Sequence, residues 1–234
     1  MLIHAAGQRV GVVFDCDGVL ADTNQCWDAA FGAVAGQLGL ELSRERLALL
    51  RGAALGTAAG ELARWSDRGP RAADVLRALE RALAGAIDTA ELTLADEVRE
   101  LLDQLRGVVR VGVASNSPRS VLLRVLARLD ITEYFAAAVS ADDVPRPKPA
   151  PDPYLAACRA LGIDPPASFA IEDSAIGVSS AAAAGLTVIE LTGARESDTA
   201  RPPSGSALQV RSLADPRIGP LVLASAASAA GDSR

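Results

Sequence analysis

Short apolar runs alternate with longer amphipathic stretches along most of this chain. Residues 10–14, 108–114, 136–139, 168–171 and 187–191 are dominated by Val, Ile, Leu, Phe and Ala, the pattern of strands covered on both faces. Between them, apolar positions recur at helical spacing. Residues 94–105 precede the second run. Residues 118–129 follow it, with Ser117 as N-cap and Pro118 as first helical residue. Residues 153–161 follow the third run and stop at Gly162; residues 176–184 follow the fourth and end at Gly185. Strands that alternate with helices predict an α/β fold with a mainly parallel, Rossmann-like sheet.

One segment breaks the alternation. Residues 22–91 carry only helical patterns, over 24–38, 43–50, 57–66 and 71–83, punctuated by Gly52, Gly56 and Gly69-Pro70. That is too much helix for an ordinary crossover. It predicts an all-helical cap domain (22–91) inserted into a discontinuous core (1–21 and 92–234), over the C-terminal edge of the sheet. Beyond Thr192 the pattern weakens. Arg201-Pro202-Pro203-Ser204-Gly205 reads as a loop and 208–210 as a last edge strand. Pro216 and Pro220 limit 214–223 to short helical turns, and the tail from Ala224 is expected to fray.

Composition narrows the function classes. Half of the 234 residues are hydrophobic and 22% are charged, which suits a globular chain with a real core. The net charge of -6 comes without a basic block, so no nucleic-acid or membrane partner is expected. Neither a transmembrane stretch nor a signal pattern at the N-terminus is evident. Cys16, Cys26 and Cys158 form no CxxC pair, which predicts a reduced, cytoplasmic protein without a zinc site. The single histidine, His4, near a terminus, makes a His-centred base improbable and reads as a surface residue.

The polar residues of interest follow the strands. Asp15 and Asp17 come after the first, Ser115-Asn116-Ser117 after the second, and Glu172-Asp173-Ser174 after the fourth; Lys148 sits in a Pro-rich loop after the third. In an open parallel sheet, ligands bind outside the C-terminal ends of the strands, so these sets become neighbours. Side chains alternate along a strand, so Asp15 and Asp17 are expected on one face while the strand continues; if the chain leaves it here, the geometry of Asp17 changes and its backbone becomes available. Each set has a plain structural reading: a turn for Asp15-Cys16-Asp17-Gly18, helix caps for the Ser115 and Glu172 sets, and a solvated loop for Lys148. Their joint occurrence favours chemistry. Asp15, Asp17, Glu172 and Asp173 offer hard oxygen ligands suited to Mg²⁺. Ser115, Asn116 and the backbone N–H groups that open the next helix suit a phosphate, and Lys148 adds a positive charge. Such a set favours phosphoryl transfer, with one aspartate as nucleophile and a second moving the proton.

These stretches resemble the four motifs of the haloacid dehalogenase-like (HAD) hydrolase superfamily, in the branch with a helical cap that includes phosphoglycolate phosphatase and β-phosphoglucomutase. Asp15 to Thr23 resembles the first motif, Ser115-Asn116 the second, Lys148-Pro149-Ala150-Pro151-Asp152-Pro153 the third and Glu172 to Gly177 the fourth. The resemblance implies Asp15 as nucleophile and Mg²⁺ ligand. It implies Asp17 as general acid and base, with its carbonyl on the metal. Ser115, Asn116 and Lys148 would hold the phosphoryl group, and Asp173 and Glu172 the metal, the latter directly or through water. Asp17 favours phosphate over halide chemistry. Trp27 stands where the mutases carry a histidine, and Gly52-Ala53-Ala54-Leu55 lacks their Ser and Arg, so a phosphatase of a small phosphorylated metabolite is expected before a sugar phosphomutase. Trp27 itself reads as packing. Arg51 is a candidate for the substrate anion, as are Arg44, Arg46, Arg64 and Arg68, although a solvated helix-end cation explains it too. A non-enzymatic phosphoacceptor domain fits less well, because of the helical insertion. A monomer or homodimer is expected.

Overall fold

A computed structural model describes residues 9–192 and 206–231. Six strands form one sheet: β1 (Gly11–Phe14), β2 (Arg110–Ala114), β3 (Ala137–Val139), β4 (Phe169–Glu172), β5 (Thr187–Leu191) and β6 (Leu208–Val210). Their order is β3-β2-β1-β4-β5-β6 and every pairing is parallel. Val12 lies beside Val111 on one side of β1 and beside Phe169 on the other. The strand order reverses about β1 and β4, which makes the ends of these two strands the natural mouth of a ligand crevice.

The buried strands send alternate residues to opposite layers. Val12, Phe14, Val113, Ile171 and Ile189 join one apolar cluster with α5 (Asp96–Leu105), α6 (Arg119–Arg128) and α9 (Ile218–Gly231). Val13, Ala114, Ala170 and Val188 join the other with α7 (Asp152–Leu161) and α8 (Ala175–Ala183). Gly162 closes α7 with φ of 61°, the left-handed conformation its sequence position predicts.

The segment between β1 and α5 is helical as expected: α1 (Asn24–Gln37), α2 (Arg44–Leu50), α3 (Leu55–Trp65) and α4 (Ala72–Thr89). Val75, Leu79, Leu83 and Ile87 line one stripe of α4 at four-residue spacing and are buried, and α4 packs against both α1 and α3. Helix α4 runs past the expected end at Leu83. Gly85 is tolerated inside it, and Arg128 of α6 donates to the carbonyls of Ile87 and Ala90 at its end. Arg124 bonds both oxygens of Asp88 at 2.6 Å alongside.

Two further expectations are corrected. Residues 218–231 form a continuous helix rather than short turns. Pro220 lies in its first turn, where an N–H has no helical partner to lose. Ser117 is not the N-cap of α6; Pro118 takes that position, and the Arg119 N–H is met by Asp142 Oδ2 at 2.8 Å. His4 and the loop 201–205 lie outside the described residues.

The α4 stripe gives a stability test. Leu83→Ala should cost about 2–5 kcal/mol, because a fully buried side chain leaves a cavity among three helices. Urea unfolding of the two proteins measures it.

Candidate active site

Chain geometry brings the strand-end residues together. Asp15 follows β1 directly and its N–H bonds the carbonyl of Ile171 in β4 at 2.9 Å, so it stands at the reversal of strand order. Glu172 ends β4 and is fully buried. Lys148 reaches between them: its Nζ donates to Asp15 Oδ1 at 2.5 Å and to Glu172 Oε1 at 2.6 Å. Tyr154, in the first turn of α7, donates its hydroxyl to the same Glu172 oxygen at 2.7 Å. Its ring centroid lies 4.8 Å from the Lys148 ammonium, within cation–π range. The other Glu172 oxygen accepts from the N–H groups of Asp173 (3.1 Å) and Ser174 (3.3 Å) and from the Ser174 hydroxyl (3.1 Å). Ser174 in turn caps α8 by accepting from the Gly177 N–H.

Two glycines are required here. Gly18 has φ of +89°, and a Cβ on it would strike the Asp173 carboxylate. A Cβ on Gly177 would strike the Glu172 carboxylate.

Electrostatics follow from burial. Burial raises the Asp15 carboxyl well above its ordinary value; Lys148 opposes this, while Glu172, Asp17 and Asp173 add to it. Burial alone would lower the Lys148 ammonium, but Asp15 and Glu172 outweigh it and hold the group charged. Tyr154 is raised well above its ordinary value by burial and by Glu172 and Asp15, so it stays a neutral donor. Cys16 is also raised, chiefly by burial and then by Asp17 and Asp15, which leaves it an unreactive thiol. The Lys148 ammonium thus faces two carboxylates, Asp15 and Glu172. Ligand atoms of Asp15, Glu172 and Asp173 lie within 4.8 Å of one another, and an all-oxygen set of this kind fits a hard divalent cation.

Asp17 lies in the loop after β1, which ends at Phe14, and forms an isolated bridge with Ala21. Four donors converge on its carboxylate. Oδ1 accepts from the Thr23 hydroxyl (2.5 Å) and the Trp27 indole N–H (2.9 Å), at the start of α1. Oδ2 accepts from the hydroxyls of Ser115 (3.1 Å) and Ser117 (2.7 Å), after β2. Ser115 thus lies next to Asp17. Asn116 holds loops together: its Nδ2 donates to the carbonyls of Gly52 (2.8 Å) and Lys148 (3.2 Å), and its Oδ1 accepts the Lys148 N–H (2.9 Å). Arg51 is paired with Asp28 of α1 by two hydrogen bonds.

Sequence reasoning overlooked Tyr154 and the polar end of Trp27, and placed Ser117 at a helix cap rather than on Asp17. A buried Tyr or Trp needs a partner for its polar atom. The chain has only two of each, so asking where each polar tip goes would have found them.

Comparison with known proteins identifies the family. Residues 12–191 match the family model described as haloacid dehalogenase-like hydrolase. Hexitol phosphatase B of Escherichia coli (strain K12) is 34% identical over 192 residues, which cover 78% of this chain and 83% of that protein. The fructose-1-phosphate phosphatase YqaB of the same organism is 29% identical, covering 77% of this chain and 95% of that protein. The crystal structure of CbbY from Rhodobacter sphaeroides in complex with phosphate superposes with a TM-score of 0.77 at 25% identity, covering 89% of this chain and 96% of that one.

The Lys148 ion cluster predicts a pH signature. Its ammonium is held above the ordinary lysine value of 10.5, so its stabilising contribution is complete below that value and is lost as pH rises beyond it. Lys148→Met should cost about 3–5 kcal/mol at neutral pH, since two buried carboxylates lose their partner. Urea unfolding across pH should show that difference constant to about pH 9 and shrinking above about pH 10.5. A difference unchanged up to the alkaline end would rule out the ammonium as its source.

Proposed function

The chain belongs to the haloacid dehalogenase-like hydrolase family, and on that premise we propose that it is a Mg²⁺-dependent phosphatase acting through an aspartyl-phosphate on a small sugar or polyol phosphate. That it is a phosphoric monoester hydrolase follows from the family and its phosphatase relatives. The observation that carries the mechanism is the placing of Asp15 against Lys148 at the reversal of strand order, with Glu172 and Asp173 beside it and Asp17 in the adjoining loop.

Asp15 attacks phosphorus, the ester P–O bond breaks, and Asp17 delivers a proton to the departing alcohol oxygen. Water then attacks phosphorus of the aspartyl-phosphate and gives its proton to Asp17, which releases inorganic phosphate and restores Asp15. Lys148 offsets negative charge on Asp15 and on the phosphoryl oxygens. Ser115 and Asn116 would hold that group, and Asn116 also fixes the Lys148 loop. Asp15, Asp173 and the Asp17 carbonyl would hold the ion, with Glu172, already engaged by five protein donors, behind them. Bound Mg²⁺ would supply charge for the transferring phosphoryl group.

Residues 22–91 act as a cap in this reading. Gly52 reaches Asn116, and Thr23 and Trp27 reach Asp17, so the helical segment borders the site and limits water. The relatives named for hexitol and fructose 1-phosphate support a sugar or polyol ester as substrate. Arg51 would turn from Asp28 to a substrate anion.

The test is phosphate release from hexitol phosphates, ketose 1-phosphates, phosphoglycolate and nucleoside monophosphates. Turnover should be highest on a sugar or polyol ester, vanish with EDTA and return with Mg²⁺. Asp15→Asn should lower kcat by at least about 10³-fold. Metal-independent turnover, or a fully active Asp15→Asn protein, would refute the mechanism.

A further inference from the structure

Trp27 sits in the first turn of α1, its N–H bonding the Thr23 carbonyl, and is only 8% exposed. Its ring packs on Phe31, with centroids 5.7 Å apart, which is all that ordinary burial of a tryptophan requires. Its polar atom does something more specific. The indole N–H donates to Asp17 Oδ1 at 2.9 Å, across from the two serine hydroxyls on Oδ2. A serine or threonine hydroxyl can rotate and either donate or accept, whereas an indole N–H can only donate. Trp27 is therefore the one donor at this carboxylate whose role and direction are fixed, and its ring is held by packing.

We infer that Trp27 is a positioning residue for Asp17: its N–H keeps Oδ1 turned toward α1 and thereby presents Oδ2 to the substrate oxygen that must be protonated. The inference rests on the reading of Asp17 as the proton carrier. It also ties that carboxylate to the helical segment, because Trp27 belongs to the first helix of residues 22–91 and Asp17 to the core loop. A shift of α1 relative to β1 would move two of the four donors that aim Asp17, Trp27 and the N-cap Thr23. Orientation of this kind matters because proton transfer demands hydrogen-bond reach to the correct atom.

A tryptophan that merely packs and a tryptophan that aims Asp17 differ in one readout, the dependence on the leaving group. An alkoxide needs a proton as the P–O bond breaks, while 4-nitrophenolate leaves without one. The value of kcat/KM reports steps through alcohol release, so it isolates this event. Trp27→Phe keeps a ring and removes the N–H. It should lower kcat/KM for glucitol 6-phosphate by about tenfold or more and that for 4-nitrophenyl phosphate by less than about threefold. Asp17→Asn, run in parallel, should show a larger bias in the same direction. An equal loss on both esters in Trp27→Phe, or none on the alkyl ester, while Asp17→Asn keeps its bias, would overturn the role of Trp27 alone. No bias in Asp17→Asn would overturn the assignment of Asp17 and this inference with it. Should the smaller ring unfold α1, β-(3-benzothienyl)alanine at position 27 exchanges only the N–H for sulphur and gives the same readout.

Discussion

A buried ammonium, that of Lys148, joins three parts of the chain that meet nowhere else in sequence. It bonds Asp15 after β1 and Glu172 at the end of β4, and its loop is pinned by Asn116 from beyond β2. Burying two carboxylates side by side is costly unless a positive group faces both. Lys148 meets that demand, and in doing so sets the distance between the two strand ends at which chemistry would occur. Tyr154 and the N–H groups of Asp173 and Ser174 satisfy the remaining acceptor positions of Glu172. The close fit at Gly18 and Gly177 follows from the same crowding.

Asp15 and Glu172 share the Lys148 ammonium, and together with Asp173 they bring three carboxylates within reach of one ion. A divalent cation there would offset their negative charge, which is the link between the cluster and the phosphatase reading. Asp17 has its own set of hydrogen-bond partners. Its partners are neutral donors, from α1 on one side and from the loop after β2 on the other. Two carboxylates two residues apart can therefore serve different roles because their surroundings differ.

Docking of the helical segment on the core uses separate means. Arg124 and Arg128 of α6 hold the end of α4 through Asp88 and the carbonyls of Ile87 and Ala90. Near the site the links are the amide of Asn116 on the Gly52 carbonyl and the Thr23 hydroxyl and Trp27 indole on Asp17.

Hydrophobic periodicity by itself determined the alternation of strands and helices and the helical interruption between the first two strands. It did so because buried strands and amphipathic helices leave different local spacings. The placing of Asp15, Ser115, Lys148, Glu172 and Asp173 at strand ends was likewise legible, since a parallel sheet gathers its C-terminal ends. Tertiary structure alone decided the rest. The extent of α9 depended on Pro220 falling in a first turn, and that of α4 on Arg128 meeting its last carbonyls. Ser117 left its cap position for Asp17, which only the approach of two distant loops could allow. Trp27 and Tyr154 fit an apolar pattern as aromatic bodies; where their polar tips point is a matter of which loops surround them, and local spacing carries no record of that.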